Sequence, residues 1–241
     1  MAEQAGCSKA LSRRYKTKTH YSLNFFVGLH MVKYWVKTPR FLKMVFPAGL
    51  VWKMPLTPEP TVYITFDDGP HPVATPFIIQ EFEKYGARGT FFCLGKNVLL
   101  YPDIYNQLIE KGHRVANHTH DHLNAYHTAD DAYIENIKTA AQHIDSNLFR
   151  PPYGRIRRSQ VKKLRQVYPT WKICMWDVLS GDFDTRITAQ KCMENVLKNI
   201  EPGSIVLFHD SEKAWPRMSY ALPKVLEHCR KKGWEMKALP Y

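Results

Sequence analysis

Six side chains in this 241-residue chain have the types and spacing to do chemistry together. Asp67 and Asp68 sit side by side where the apolar run 62–66 stops at Gly69-Pro70. Adjacent carboxylates repel each other and resist desolvation, so a cation must hold them at such a place. His118 and His122 are four apart in His-Thr-His-Asp-His, and one helical turn would present both imidazoles on the same side. With a carboxylate from another strand they form a two-histidine, one-carboxylate set that leaves positions open for water and substrate. Arg150 opens Arg-Pro-Pro-Tyr-Gly, and His209 lies in Leu-Phe-His-Asp. A lone Asp-Asp-Gly would be an ordinary solvated turn, and His113, His120 and His127 read as surface or core histidines. The four motifs count because they occur together.

The elements around them read as an alternation. Strand-like runs at 62–66, 89–94, 113–117, 148–150, 172–176, 204–208 and 234–239 are separated by helical stretches at 75–86, 102–112, 128–145, 159–168, 188–199 and 220–233. Thr75-Pro76 reads as the cap and first residue of one helix, and Ser159 and Thr188 as the starts of others. Strict alternation of apolar strands with helices predicts a parallel sheet covered by helices. Each polar motif falls just past the carboxyl end of a strand, where barrel enzymes carry their sites.

Over residues of about 60–240, the stretch 61–71 (Thr-Val-Tyr-Ile-Thr-Phe-Asp-Asp-Gly-Pro-His) and the three later motifs, in this order, resemble the polysaccharide deacetylases of the NodB-homology type, similar to carbohydrate esterase family 4. The resemblance implies a distorted, incomplete (β/α)7 barrel with parallel strands, as one catalytic domain spanning 61–241. It implies that Asp68, His118 and His122 hold one divalent cation, zinc first, with cobalt, manganese or nickel as alternatives. Asp67 then resembles the catalytic base, paired with Arg150, and Tyr153 the residue whose backbone N–H faces the oxyanion of a tetrahedral intermediate. His209 matches the catalytic acid and Leu207 the wall around the acetyl methyl. Residues 176–184 stand where the family has an Asp-Trp motif; Asp182-Phe183 aligns with it, Asp182 orienting His209. Here the chain departs from the pattern, because Phe183 replaces tryptophan and Asp177 and Asp184 are rival acids.

The activity so implied is hydrolysis of N-acetyl groups on an amino-sugar glycan, of chitin-oligomer or peptidoglycan type, releasing acetate. An O-acetyl esterase or a cyclic-amide hydrolase would use the same set. A non-catalytic glycan-binding relic would have lost base, acid or ligand, and all are present. A non-haem iron oxygenase shares the ligand types but has no need of an Asp67–Arg150 pair.

Charge is distributed unevenly along the chain. Of the net +12, residues 1–53 hold +9, ten Lys/Arg against Glu3, which leaves about +3 for the rest. No stripe of basic residues interleaved with aromatics runs along the body, which argues against a nucleic-acid partner. Arg155, Arg157, Arg158, Lys162, Lys163 and Arg165 read as a solvated helix face or as an attractant for an anionic glycan. Residues 1–60 read as a basic leader, with Met31 as an alternative start. Its apolar run 22–36 is shorter than the roughly 20 residues of a spanning helix, and no small-residue cleavage site follows. Two readings of the leader are open: peripheral contact with an anionic membrane through residues 1–53, or a helix packed over the barrel end. The five cysteines lack CxxC spacing, and Cys93 and Cys174 read as buried thiols. Together these features favour a monomer at the cytoplasmic or inner-membrane surface over a secreted protein.

Overall fold

Along the central strand Val62, Ile64 and Phe66 alternate with Tyr63, Thr65 and Asp67, so the two faces of the sheet receive different chemistry. In the computed structural model, which describes residues 34–241, this strand is β2 (Thr61–Asp67), buried along its whole length. The alternative start at Met31 and most of the run 22–36 lie outside the described residues. The other strands are β1 (Leu50–Val51), β3 (Thr90–Cys93), β4 (Arg114–Asn117), β5 (Leu148–Phe149), β6 (Lys172–Cys174), β7 (Val178–Leu179), β8 (Ile205–His209) and β9 (Glu235–Met236). They form one sheet in the order β1-β6-β5-β4-β3-β2-β8-β7, with β9 added beside the start of β2. Every pairing between these strands is parallel. The result is a curled, incomplete barrel, as the family resemblance implied.

Helices α1 (Arg40–Val45), α2 (Ala74–Glu83), α3 (Gly95–Leu100), α4 (Pro102–Glu110), α5 (Asp130–Ala141), α6 (Arg158–Val167), α7 (Ala189–Leu197) and α8 (Trp215–Lys231) complete the fold. Val62, Ile64 and Phe66 pack with Ile78 and Phe82 of α2 and Leu222 and Leu226 of α8. Phe66 stacks between Phe91 at 4.9 Å and Phe208 at 6.1 Å. Tyr63 joins a separate cluster with Phe92, Ala116, Leu148, Cys174 and Ile205. Each fully buried side chain of this kind contributes about 1.5–3 kcal/mol. Cys93, Cys174, Cys192 and Cys229 are all free and buried.

The structure departs from the sequence reading at several elements. Among the described residues there are nine strands rather than seven, because β1 and β7 are two residues long and too short to carry a periodicity. Helix α3 was not foreseen, and α8 begins at Trp215 instead of about 220, with Pro216 in its first turn. Thr75 is not the cap of α2: that helix starts at Ala74, and the Thr75 hydroxyl is bonded to Asp210 instead. Ser159 lies inside α6, at whose start the Gln160 side chain accepts the Arg157 N–H. Thr188 caps α7 as expected, accepting the Lys191 N–H.

The boundary drawn at residue 60 does not coincide with the compact unit, which runs from Tyr34 to Tyr241. Residues 34–60 take part in the sheet. Thr38 donates its N–H to the Asp177 carbonyl, and Leu179 donates to Val36. Strand β1 then pairs with β6, and the Met54 N–H reaches the Gly203 carbonyl at the start of β8. Trp52 and Met54 are buried in the process.

Candidate active site

Pairing of β2 with β8 sets Asp67 opposite His209, at the carboxyl ends of both strands. The period of two puts Leu207 and His209 on one face of β8, and Thr65 and Asp67 on one face of β2. Arg150, directly after β5, is completely buried. Its Nη1 donates to Asp67 Oδ1 at 2.6 Å and to Thr65 Oγ1 at 2.8 Å. Its Nε and Nη2 donate to the Cys174 and Met175 carbonyls, and the guanidinium lies 3.9 Å from the Phe92 ring centroid. A buried guanidinium short of partners would cost several kcal/mol, so this ring of acceptors is what allows a cation to stand behind Asp67.

Asp68 follows at φ +85° in the turn that leaves β2. Its carbonyl accepts from Asn97 Nδ2, and the Gly69 N–H donates to Asp210 Oδ1 at 2.9 Å. The Thr75 hydroxyl donates to Asp210 Oδ2 at 2.6 Å, while the Asp210 N–H returns to the Asp67 carbonyl. A Cβ on residue 69 would fall 1.9 Å from Asp210 Oδ2, so only glycine fits. Burial pushes the Asp210 carboxyl up to about 8, with Asp68 adding to the effect.

His118 and His122 reach Asp68 from a loop, not from the helical turn their spacing suggested. Thr119 and His122 have φ of +69° and +60°, and the Asn117 and Thr119 side chains accept the N–H groups that a helix would have used. His118 Nδ1 donates to the Arg150 carbonyl at 2.7 Å, and His122 Nδ1 lies 3.1 Å from the Tyr153 hydroxyl. Both rings therefore offer Nε2 towards Asp68 Oδ1, at 3.7 and 3.2 Å respectively. Engaging the other nitrogen in this way is how metal-binding histidines are commonly oriented. The three donor atoms lie within 4.8 Å of one another, and Asp68 Oδ1 is buried without a well-directed hydrogen bond. Burial lowers the His118 imidazole to about 4 against the pull of Asp67, so it stands neutral with a free lone pair. Burial opposes ionisation of Asp68, yet His122, His209 and His118 together hold its carboxyl well below the usual range. An anionic oxygen and two imidazole nitrogens converging with an orphaned carboxylate atom between them fit a divalent cation.

Asp182 is the acid that meets His209. Its Oδ1 accepts from Nδ1 at 2.8 Å and its Oδ2 from the His209 backbone N–H at 2.7 Å. Burial acts to lower the His209 imidazole, but Asp182, Asp68 and Asp67 push it up to about 10. The rivals are committed elsewhere: Asp177 to Lys37, Ser204 and the Ile205 N–H, and Asp184 to Arg186. The Phe183 ring packs edge-on to His209 at 5.4 Å, and Leu207 is buried two residues before it. Tyr153, at φ +60°, is exposed beside His122. The structure thus gathers the ten residues singled out from sequence around one rim. Sequence reading gave no site role to Asp210, Thr65, Asn97 or Asn117, and read Thr75 only as a helix cap. Asp210 and Thr65 stood inside quoted motifs; Asn97 and Asn117 had no local signal.

Residues 55–168 match the family described as polysaccharide deacetylase. A peptidoglycan-N-acetylglucosamine deacetylase of Bacillus cereus is 31% identical over 194 residues, 78% of this chain and 90% of that one. A chitooligosaccharide deacetylase of Azorhizobium caulinodans is 32% identical over 160 residues, 63% of this chain and 74% of its own length. Among solved structures, a peptidoglycan N-acetylglucosamine deacetylase in complex with a benzamide ligand superposes with a TM-score of 0.73 at 29% identity. It covers 80% of this chain and 91% of the other.

Proposed function

The chain belongs to the polysaccharide deacetylase family, and on that premise we propose that it is a metal-dependent hydrolase removing N-acetyl groups from an amino-sugar glycan of peptidoglycan or chitin-oligomer type. The observation that carries this reading is the meeting of three units on one strand-end rim: the Asp67–Arg150 pair, the Asp68–His118–His122 set and the His209–Asp182 pair.

A divalent cation held by Asp68, His118 and His122, zinc before cobalt, manganese or nickel, would supply Lewis acidity to the acetyl carbonyl and to water. Asp67 is the base: Arg150 occupies its Oδ1, which leaves Oδ2 to take a proton from the attacking water. The backbone N–H of Tyr153 donates to the oxygen that gains charge as the carbonyl is attacked. His209, with Nδ1 fixed on Asp182, carries its mobile proton on Nε2 and delivers it to the departing amine. The water oxygen joins the acetyl carbon, the C–N bond breaks, and acetate and a free amino sugar leave. Leu207 and Phe183 form the apolar wall for the methyl group. The test is acetate release from chitin oligomers, peptidoglycan, acetylated xylan and small cyclic amides, using metal-stripped protein reloaded with zinc, cobalt or manganese. Turnover confined to N-acetylated glycans supports the reading. Turnover confined to xylan acetate or cyclic amides would replace it.

A further inference from the structure

The segment that leads into the barrel is exposed where it is most apolar. Trp35 and Phe41 pack edge to face at 5.8 Å, yet are 56% and 55% exposed. Met44 and Val45, at the end of α1, are 78% and 67% exposed. Scattered exposed apolar residues are ordinary, but four within eleven residues of one anchored element are not. The element is held at both ends. Lys37 forms an antiparallel bridge to Val178, and past α1 the Phe46 ring packs edge-on to Trp52 at 5.0 Å. The Arg165 guanidinium then donates to the Ala48 carbonyl.

Alongside it runs the basic face of α6. Grooves next to Met44 and Val45 are walled by Arg157, Arg158, Lys162 and Arg165, and no acidic residue lines them. Asp130 and Asp131 are already occupied by Arg157 and Lys163. Arg158 and Lys162 are exposed and have no carboxylate partner among the described residues. The same groove touches Tyr126 and Ile156, four residues past His122 and three past Tyr153. This surface therefore borders the loops that carry the site.

We propose that the α1 segment and the basic face of α6 together dock the enzyme on an anionic lipid surface. Bulky apolar side chains beside unpaired cations are the combination that an interface of acyl chains and charged headgroups rewards. A soluble anionic glycan would account for Arg158 and Lys162 but leave Met44 and Val45 in water. A second copy of this chain would set like charge against like charge across a two-fold axis. No helix among the described residues is long and apolar enough to cross a membrane, so the contact is peripheral.

The test is co-sedimentation of the full chain with phosphatidylcholine vesicles, with and without phosphatidylglycerol. Binding is expected only with the anionic lipid, and it should fall as salt is raised. Met44→Ser/Val45→Ser and Arg158→Glu/Lys162→Glu are each expected to weaken binding about tenfold or more, with unchanged thermal melting. Because residues 1–33 are unaltered in both, binding carried by that basic segment would survive, and wild-type affinity in either double variant overturns the proposal. So does an absence of vesicle binding, including the case in which the chain is retained by immobilised heparin instead.

Discussion

Asp67 and Asp68 are neighbours in sequence whose carboxylates meet different partners, one a buried guanidinium and the other two imidazoles. That separation makes their exchangeability testable. His118→Ala and His122→Ala are each expected to abolish stoichiometric retention of a divalent cation; full occupancy by elemental analysis in both would remove the assignment. Asp67→Asn is expected to retain the cation and lose activity by about 10²–10⁴, the usual size of a general-base contribution. Loss of the cation in Asp67→Asn, with retention in Asp68→Asn, would exchange the two roles. The third prediction concerns pH. His209 must carry a proton to act as the acid, and Asp182 is the first of the charges that raise it to about 10. Activity should fall as pH rises through the value of this group, and Asp182→Asn should bring the fall to lower pH while leaving the acid limb in place. The same pairing stabilises the fold. Since the group is raised from 6.5, its contribution is whole below that pH and is lost as pH rises towards 10. Asp177→Asn and Asp184→Asn should leave the alkaline limb where it was, because their carboxylates are bonded to Lys37 and Arg186. A shift in either control, with none in Asp182→Asn, would show that His209 takes its charge from elsewhere.

At the scale of elements, the sequence showed what regular spacing can show. Strands β2, β3, β4 and β8 announce themselves because buried parallel strands are continuous apolar runs, and the polar residues that follow them mark their carboxyl ends. The His118–His122 spacing gave the right partners by the wrong geometry, since a loop with two left-handed residues can bring two imidazoles together as well as a helix can. Strands β1 and β7 were hidden because two residues have no period, and their pairing is decided by distant chain. Asp210 was hidden for another reason: its work is done on a turn more than a hundred residues away, through Gly69 and Thr75. This yields a prediction for the turn as a unit. Asp210→Ala leaves the Gly69 N–H without its acceptor and the Thr75 hydroxyl without its partner in a buried place, at a cost of about 1–3 kcal/mol. It should also loosen cation retention, because Asp68 is carried on that turn. Asp210→Asn, which keeps an acceptor for Gly69 and a polar partner for Thr75, should recover most of both. Equal loss in the two variants, by thermal melting and elemental analysis, would show that the turn does not depend on these bonds.

For the whole molecule, the structural question is where the folding unit begins. The basic composition of residues 1–60 suggested a leader, whereas the compact unit starts at Tyr34 and draws residues 34–60 into the sheet. Removing them would strip Trp52 and Met54 from the core, each worth about 1.5–3 kcal/mol. It would also take the partly exposed Lys37 from the buried Asp177 carboxylate, which keeps its bonds to Ser204 and the Ile205 N–H. The two side chains alone are worth about 3–6 kcal/mol and the β1–β6 pairing goes with them, a loss comparable with about 5 kcal/mol, the lower end of what holds a whole domain together. A chain starting at Met31 is therefore expected to melt within about 2 °C of the full chain and to match its rate on a soluble substrate. One starting at Glu59 should melt at least about 10 °C lower or fail to fold, given about 2–4 °C per kcal/mol at this size. Equal melting of the Glu59 chain and the full chain would restore the boundary at residue 60 and make the 34–58 segment an appendage. A large drop for the Met31 chain would extend the folding unit into residues 1–30.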